Sequence, residues 1–586
     1  MLRIMLGPEV NTHRRAARVL IRALAVGLLS GAAALVLRWA ATEAPHLVWP
    51  GTDLVDGVMR ATPLRRVLVP ALGGLVAGLV LTLGTRLPGA ARGWDILEAV
   101  VLRNGDLPLR PSLVRGASSL VTQASAGAVG REGPIVLLAA AVASRVGLRW
   151  TATTRERRIL LGCGVASGLA CAYNTPLGAA LFTMEILFGS FALDAFAPLA
   201  VSSAVATVLA WAAFGRDPVF RVAPVAIASS WEVVLYPVLG VLGGMAAAAF
   251  LFALRTAASR FKRSGLSRPA AMALAGLALG LVTVRWPEVV GNGREAIAAL
   301  FERPWTVGHV LTLFALRLVL TPLAVGSGTV GGVFTPTLFL GAMLGQAFGV
   351  LVQAAAPGLG AEPTTYALVG MGALLAGTTH APLMSVVMVF EMTLDYGVVV
   401  PLLLGAAVAS LVATGLSSTS VYTEALERQT DDAEPGSALD VRRVGDLART
   451  EQVTVREDLP LSGLLDTFVA SRRNHVYVVD SAGTFVGAVN LHDVNQALRD
   501  TGDPEAVAAR DVLRTHFETT TPEEGLPRVL ERFAAQNSER LPVLAGDGSG
   551  RLVGTISKRD VLAAYARDLL RRRAHTAPID QPERPS

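Results

Sequence analysis

The sequence predicts a multi-span α-helical membrane protein with an internal repeat, followed by a smaller soluble α+β region. Three observations support this fold class. Of the 586 residues, 52% are hydrophobic, and these concentrate before Leu426, whereas charged residues occur throughout the remainder. The first part contains long apolar runs, and motifs recur in its two halves at nearly constant spacing. Long apolar runs indicate membrane spans, and such repeats are typical of transporters.

Several apolar runs of the first part approach or exceed the length that a bilayer requires. They are Val19–Leu37, Val67–Leu83, Ile159–Leu187, Val233–Leu254, Leu311–Val325 and Val398–Ala413. The 58 glycines of the chain suit close helix packing in lipid. A soluble protein with a very large core is the alternative, and the run lengths argue against it.

Basic residues predict the orientation of the chain in the membrane. Arg14, Arg15, Arg18 and Arg22 lie before and within the first apolar run. That run is too long for a signal peptide, so we expect an uncleaved first span with a cytoplasmic N-terminus. The net charge of +6 is accordingly interpreted as topology, and no nucleic-acid partner is expected.

The segment Gly130-Arg131-Glu132-Gly133-Pro134 places a carboxylate between two glycines inside a long apolar region. A charge at membrane depth costs several kcal/mol unless it faces protein, water or a bound ion. The glycines allow the backbone to approach a ligand closely, and a broken helix with N–H groups pointing at a site is suited to holding an anion. Glu132 is therefore the first functional candidate.

Each half of the membrane part contains the same three motifs in the same order. In the first half they are Gly130-x-Glu132-x-Pro134, Asn174-Thr-Pro176-Leu177 and Glu185. In the second half they are Gly332-x-Phe334-x-Pro336, His380-Ala-Pro382-Leu383 and Glu391. The spacing is 202 residues at the first motif (332 − 130) and 206 at the others (382 − 176 and 391 − 185). Repeats of this kind predict a binding site at their interface, near the membrane midplane.

A second, shorter repeat follows a polar linker. The segment Phe485–Val494 is similar to Leu552–Val561, with Gly487 and Gly554 separated by 67 residues (554 − 487). Each copy follows an apolar strand and an amphipathic helix. The strands are Val476–Val479 and Leu541–Leu544, and the helices are near Leu464–Ser471 and at Leu526–Gln536. This pattern predicts a strand–turn–strand–helix unit used twice, with a small α+β core.

These motifs resemble those of the CLC family of chloride channels and chloride/proton exchangers, and the soluble part resembles a pair of CBS domains. Gly130–Pro134 matches the family's GREGP motif, Gly332–Pro336 matches GxFxP, and Tyr422 fits the inner-gate tyrosine near the last membrane helix. The resemblance implies a CLC-like inverted repeat followed by tandem CBS domains. The expected boundaries are a transport domain at 1–426, a linker at 427–440, CBS domains at 441–500 and 501–570, and a disordered tail at 571–586.

The resemblance also implies a function. We expect a homodimer in the lipid bilayer that transports chloride, or a similar small anion, as a proton-coupled exchanger or as a passive channel. The CBS domains would regulate it, and no cofactor is required. Glu132 is similar to the family's external gating glutamate. The implied anion-binding residues are Gly130, Arg131, Gly133, Val333, Phe334 and Tyr422.

The sequence departs from the family pattern at two positions. Arg92, in Ala91-Arg92-Gly93-Trp94-Asp95, aligns with a serine that normally coordinates the central ion. It is a candidate anion contact, and the alternative is an arginine that extends toward the membrane surface and pairs with Asp95. Exchangers often carry an internal glutamate after the position of Glu185, where this chain has Ile186. Glu185 is a candidate for the proton path, and the alternative is a structural role at a helix end.

The soluble pair carries a candidate nucleotide site. In CBS pairs, a Ser or Thr three residues before an Asp often holds a ribose, and Ser557 and Asp560 match this pattern. Asn490 and Asp493 match it less well, because Asn490 has no hydroxyl group. An adenine nucleotide is the expected ligand. The alternative is that the two aspartates cap the helices that follow them.

Other functional classes fit the sequence less well. A cation transporter of the magnesium type with a CBS sensor would need acidic residues on its membrane helices, and the glycine motifs argue against it. The sequence contains no nucleophile elbow and no phosphate-binding loop, so it does not predict an enzyme. Cys163 and Cys171 are expected as packed thiols, with no metal site. The bias toward Ala, Arg and Gly favours a bacterial inner membrane, with the CBS domains in the cytoplasm.

Overall fold

The computed structural model describes most of the chain, in two compact units, Met1–Glu427 and Arg428–Ser586. Each unit is considered by itself. The described residues are 8–86, 95–101, 103–150, 153–189, 191, 193–225, 229–303, 305–357, 362–423, 443–448, 452–471, 475–490, 493–494, 496–498, 505, 507–513, 518–536, 540–558 and 560–561. Arg92, the linker 427–440 and the tail 571–586 lie outside them.

The first unit is built from α-helices. They are α1 (Pro8–Glu43), α2 (Leu54–Arg60), α3 (Pro63–Gly84), α4 (Ile96–Val101), α5 (Leu109–Ala124), α6 (Glu132–Trp150), α7 (Thr154–Tyr173), α8 (Pro176–Phe182), α9 (Leu193–Phe214), α10 (Glu232–Arg263), α11 (Arg268–Thr283), α12 (Arg294–Glu302), α13 (Val307–Gly326), α14 (Phe334–Ala355), α15 (Pro363–Thr379), α16 (Pro382–Thr393) and α17 (Val399–Leu416). Short 3₁₀ turns cover Ala44–Leu47, Pro287–Val289 and Tyr396–Val398, and a π-helical turn covers Thr183–Phe188.

Eight helical segments of the described residues are long and apolar enough to cross a membrane. They are Ala17–Leu47, Pro63–Gly84, Glu132–Trp150, Ala195–Phe214, Glu232–Arg263, Val307–Gly326, Phe334–Ala355 and Tyr396–Leu416. The predicted multi-span helical fold is therefore confirmed. Shorter apolar helices accompany these segments, so the membrane part mixes full spans with interrupted ones.

The apolar run Ile159–Leu187 is interrupted and does not form one continuous helix. Helix α7 ends at Tyr173, Asn174 adopts the left-handed conformation with φ 59°, and α8 begins at Pro176. Proline has no N–H to continue a helical ladder, which is why the chain turns before it. Hydrophobicity alone does not reveal this break, but the Asn-Thr-Pro motif does.

The second half repeats this local geometry. Helix α15 ends at Thr379, His380 adopts the left-handed conformation with φ 56°, and α16 begins at Pro382. Helix α6 packs against α7 as α14 packs against α15, and α8 packs against α16. The two sequence repeats are therefore also two structural repeats.

Close helix packing in this unit depends on small residues. A Cβ added to Gly341 of α14 would lie 2.3 Å from the carbonyl oxygen of Gly370 on α15, and one added to Gly370 would lie 2.2 Å from that of Gly341. The two backbones touch at this crossing, as small residues permit in lipid. Cys163 and Cys171 are buried free thiols, as the sequence predicts.

The second unit contains two small α+β copies. The first comprises β1 (Thr454–Arg456), α18 (Leu461–Ser471), β2 (His475–Val479) and β3 (Phe485–Asn490), in a sheet of order β1-β2-β3. After the short helix α19 (Ala509–Val512), the second comprises α20 (Leu526–Gln536), β4 (Arg540–Leu544) and β5 (Leu552–Ser557). Strands β2 and β3 are antiparallel, as are β4 and β5.

The two copies correspond element by element and are joined by an apolar contact. In the first copy β1 runs parallel to β2, and in the second a parallel bridge joins Thr520 to Val543. Buried Tyr477 and Ala488 of the first copy cluster with Leu552 of the second. The predicted strand–turn–strand–helix unit is thus used twice.

Candidate anion-transport site

The two glycine motifs of the membrane unit meet in an antiparallel bridge. Gly130 N–H donates to the carbonyl of Gly332, and Gly332 N–H donates to the carbonyl of Gly130, both at 2.7 Å. Helix α6 begins two residues after Gly130, and α14 begins two residues after Gly332. The bridge therefore brings the N-termini of two helices, one from each repeat, to the same place.

The carboxylate of Glu132 sits on the N-terminus of the other repeat's helix. Its Oε1 accepts the N–H of Thr335 at 3.1 Å, and its Oε2 accepts the Thr335 hydroxyl at 3.2 Å. Glu132 is only 4% exposed. The partial positive charge and unpaired N–H groups of a helix N-terminus favour an anion. In this structure the anion at that position is the protein's own carboxylate.

The glycines of both motifs leave room for this carboxylate. A Cβ on Gly130 would lie 2.0 Å from Oε1 of Glu132, and one on Gly332 would lie 2.5 Å from the same oxygen. A Cβ on Gly133 would lie 3.1 Å from the backbone nitrogen of Gly332. The motif glycines are thus required by space around the carboxylate and by the close approach of the two chains.

Two residues that the sequence analysis did not select complete this arrangement. The hydroxyl of Tyr173 lies 2.6 Å from the hydroxyl oxygen of Thr335, and its ring lies 5.0 Å from that of Phe334. Because Thr335 donates its proton to the carboxylate, Tyr173 donates to Thr335. The signals were present but weak: Thr335 lies inside the second glycine motif, and Tyr173 immediately precedes the Asn-Thr-Pro motif.

Comparison with known proteins agrees with this geometry. The family model described as voltage gated chloride channel matches residues 83–414, and the CBS domain model matches residues 444–500 and 509–567. The chain belongs to the voltage-gated chloride channel family.

The similarity to individual relatives extends over most of the length of each relative. A ClcB-like protein from Ralstonia nicotianae is 42% identical over 378 residues, 64% of this chain and 88% of the relative. The voltage-gated ClC-type chloride channel ClcB of Salmonella typhi is 34% identical over 415 residues, 70% of this chain and 98% of the relative. The crystal structure of a slow cyanobacterial Cl⁻/H⁺ antiporter aligns with a TM-score of 0.63 at 26% identity, covering 71% of this chain and 99% of that one.

Membership of this family makes the cation-transporter alternative unfavourable. No group of three or more His, Cys, Asp or Glu side chains among the described residues is arranged to hold a metal ion. The polar groups that converge between the repeats are N–H and hydroxyl donors around a single carboxylate. Donors of this type recognise an anion.

The N–H groups of Val333 and Phe334 are the other donors expected from the family motif. Val333 is the N-cap residue of α14, and Phe334 is its first residue. Within the described part of the chain neither N–H donates to a backbone carbonyl, as is normal for the first residues of a helix. Both groups are therefore available to an anion at the same helix end.

Tyr422 is held close to this region by the segment after α17. Val421 N–H donates to the carbonyl of Thr378 at 3.0 Å, which ties the segment to α15. The half-buried Tyr422 ring packs edge-on against Phe182, with 5.4 Å between the ring centres, and its hydroxyl lies within electrostatic range of Glu132. The inner-gate position expected for Tyr422 stays a prediction that this placement supports.

The two departures from the family pattern have different outcomes. Arg92 lies outside the described residues, so its role as an anion contact stays a prediction. Glu185 lies in the π-helical turn after α8, where its carboxylate accepts the N–H groups of Met384 at 2.8 Å and Leu383 at 3.4 Å. It therefore caps α16. This geometry fits the structural alternative for Glu185.

In the soluble unit, Ser557 and Asp560 form a local pair. The Ser557 hydroxyl donates to Oδ2 of Asp560 at 2.7 Å and accepts the N–H of Asp560 at 3.1 Å. The equivalent Asn490 ends β3 opposite His475, and Asp493 follows it. The hydroxyl–carboxylate pair requires a hydroxyl that only the second copy carries, so the two copies differ at the predicted nucleotide site as the sequence indicates.

Proposed function

We propose that this protein transports chloride, or a similar small monovalent anion, and that Glu132 gates the pathway. The observation that carries the proposal is the carboxylate of Glu132 on the N-terminus of α14, held by the N–H and hydroxyl of Thr335. An incoming anion and this carboxylate compete for the same helix N-terminus, so the pathway opens only when the carboxylate leaves.

The competition defines what moves the gate. A rising concentration of permeant anion displaces the carboxylate by mass action, and a proton on Glu132 removes the charge that the helix end attracts. The N–H groups of Val333 and Phe334 and the hydroxyl of Tyr422 then receive the anion. If the proton is carried onward, the cycle is an exchange of anion for proton. If it returns to the side from which it came, the pathway is a gated channel.

The proposal also includes the orientation of the chain in the membrane and its assembly into a dimer. The arginines before and within the first span favour a cytoplasmic N-terminus, and we propose the same compartment for the CBS pair. The bacterial relatives support an inner-membrane location. We expect a homodimer with one pathway in each subunit, and adenine nucleotide as the ligand of the CBS pair.

The test is anion efflux from liposomes that contain the purified full-length protein, with pH recorded in parallel. We expect chloride efflux from the wild type and a different efflux rate from Glu132→Gln. This substitution keeps the shape of the side chain and removes its charge. Glu302→Gln, at the exposed end of α12, is the matched control and should behave as wild type.

Each result has a distinct meaning. Uphill proton movement driven by a chloride gradient, and lost in Glu132→Gln, would establish exchange despite Ile186. Chloride flux without proton movement would establish a channel. Absence of flux for chloride, nitrate and fluoride would overturn the proposal, and unchanged flux in Glu132→Gln would overturn the gating role.

A further inference from the structure

A small cavity lies next to the Glu132 site and shares Thr335 with it. Its volume is about 20 Å³. Its lining comprises Arg38, Arg131, Ala172, Tyr173, Val219, Phe220, Asn292, Arg294 and Thr335. This volume admits about one water-sized body. Thr335 belongs to both the Glu132 site and the cavity, because its hydroxyl donates to Glu132 and the residue also lines the cavity.

Three arginines from three different parts of the fold converge on the cavity. Arg38 lies on α1 and is 9% exposed, Arg131 lies between the Gly130 bridge and α6, and Arg294 is the first residue of α12. Arg131 repels both Arg38 and Arg294 electrostatically. Gathering like charges away from water is unfavourable unless an opposite charge joins them.

The protein supplies little of that opposite charge. Within the described chain, none of the three guanidinium groups forms an ion pair. Glu295 attracts Arg294 electrostatically, but it lines a different cavity together with Glu288 and His309.

Neutral groups orient Arg38 and Arg131 without cancelling their charge. Arg38 donates to the carbonyl of Cys171 and to Oδ1 of Asn174, and its guanidinium lies 4.2 Å from the centre of the Phe214 ring. Arg131 donates to the hydroxyl of Thr42 at 3.0 Å. These contacts fix the side chains in place and leave positive charge directed at a cavity of ionic size.

The position of Arg38 indicates which mouth of the pathway the cavity serves. Helix α1 runs from Pro8 to Glu43, so Arg38 lies near the end opposite the basic N-terminus. With the N-terminus in the cytoplasm, the cavity faces the outer side of the membrane. An anion there would contact Thr335, the residue whose N–H and hydroxyl also hold the carboxylate of Glu132.

We propose that Arg38, Arg131 and Arg294 form a second anion site that holds one small monovalent anion next to Glu132 and loads the helix N-terminus when the carboxylate leaves. The proposal rests on the proposed function for the identity of the anion. Arg38 and Arg294 lie far from the glycine motifs in sequence and act here as binding residues for the external anion. The small volume selects a monatomic or small planar anion over a phosphate.

The first test is independent of transport. Crystals of the full-length protein soaked in bromide should show an anomalous-scattering peak among the three guanidinium groups. The peak should be lost in Arg294→Gln and kept in Arg303→Gln, an exposed arginine just beyond α12. No peak in the wild type, or a peak no stronger than those beside exposed arginines such as Arg303, which would mark an adventitious ion only, would overturn the proposal.

The second test asks whether the site feeds the pathway. In liposomes, Arg294→Gln should raise the external chloride concentration for half-maximal flux by about tenfold, since one charge-assisted hydrogen bond is lost. The internal half-maximal concentration should not change. Arg38→Gln should act in the same direction and serves as the second variant if one of them folds poorly.

The outcomes separate this proposal from the proposed function. Normal flux with an unchanged external dependence in both variants would overturn the loading role and leave Glu132 gating intact. Absence of any flux in the wild type would overturn the proposed function, and the bromide peak would still decide whether the arginine site exists.

Discussion

Glu185 and Glu391 cap each other's helices. The carboxylate of Glu185, which follows α8, accepts the N–H of Met384 in the first turn of α16 at 2.8 Å. The carboxylate of Glu391, on α16, accepts the N–H groups of Gly178 at 2.7 Å and Leu177 at 3.0 Å in the first turn of α8. The two capping contacts are reciprocal, as a local two-fold relation between the repeats requires.

This reciprocal capping predicts a structural role for both glutamates. Replacing either with alanine leaves two helical N–H groups without their acceptor, which should cost about 1–2 kcal/mol. We expect Glu391→Ala and Glu185→Ala to lower the melting temperature of the detergent-solubilised protein, with the larger effect at Glu391, which is only 8% exposed.

The proton-path alternative makes the opposite prediction for Glu185. In Glu185→Gln, the side chain keeps one acceptor oxygen but cannot take up a proton. We expect the ratio of proton to anion flux in liposomes to equal that of the wild type. Loss of proton movement with unchanged melting temperature would contradict the structural role and restore Glu185 to the proton path.

Filling the space beside the gate should displace it. In Gly332→Ala or Gly130→Ala the new methyl group would occupy the position of the Glu132 carboxylate, so the side chain must leave. We expect chloride efflux that no longer depends on protonation of Glu132, measured at several pH values.

A matched glycine provides the control for this effect. A Cβ on Gly308 of α13 would meet nothing within 4 Å. Gly308→Ala should therefore leave the flux and its pH dependence unchanged, and any change in stability should favour the variant. If Gly332→Ala also retained wild-type pH dependence, the position of the carboxylate between the two glycines would not be the closed state of the pathway.

The hydroxyl of Thr335 should set how tightly the gate closes. Thr335→Val keeps the shape of the side chain and removes the donor to Oε2 of Glu132, a bond to a charged group worth about 1.5–3 kcal/mol. We expect the anion concentration that opens the pathway to fall by roughly 10- to 100-fold. Tyr173→Phe removes only the donor to Thr335. It should lower the anion concentration that opens the pathway by a smaller factor. A rise in either variant would contradict the competition between carboxylate and anion.

The CBS pair should bind nucleotide through its second copy. Asp560→Asn, in the full-length protein, weakens the acceptor for ribose hydroxyls, and we expect the affinity for ATP, ADP or AMP to fall in isothermal titration. Asp493→Asn, in the copy without the hydroxyl partner, should have the smaller effect. Absence of heat from all three nucleotides with the wild type would remove the nucleotide proposal and favour helix capping by Asp560.

Motif residues were predictable where a local chemical requirement left a mark in the sequence. Glu132 is an ionisable residue flanked by glycines in an apolar region, and that pattern alone indicates a site. Pro176 and Pro382 stand at equivalent positions of the two sequence repeats, and each begins a helix after the same left-handed turn. The run Ile159–Leu187 misled, because hydrophobicity does not distinguish a continuous helix from two interrupted ones.

Partners of these residues were not predictable in the same way. Thr335 lies inside a glycine motif and Tyr173 precedes the Asn-Thr-Pro motif, but nothing local shows that Thr335 donates to Glu132 or that Tyr173 donates to Thr335. Arg38 and Arg294 are 256 residues apart (294 − 38), and each alone fits an arginine near a membrane surface. Only the packing of α1, α6, α12 and α14 brings them to one cavity.

Hydrophobicity, motif spacing and the cost of a charge in lipid were enough to predict the membrane unit, its two repeats, the repeated α+β unit and Glu132 as a functional candidate. These properties act along the chain, so the order of the residues reveals them. The resemblance to known families added the CBS pair and the gating role. The folded protein was needed to learn which helix end Glu132 occupies. It also showed that Glu185 and Glu391 each cap a helix of the other repeat, and that three arginines line one cavity. Hydrogen bonds and like-charge repulsion depend on distances in space, and those distances are set by how the two repeats pack.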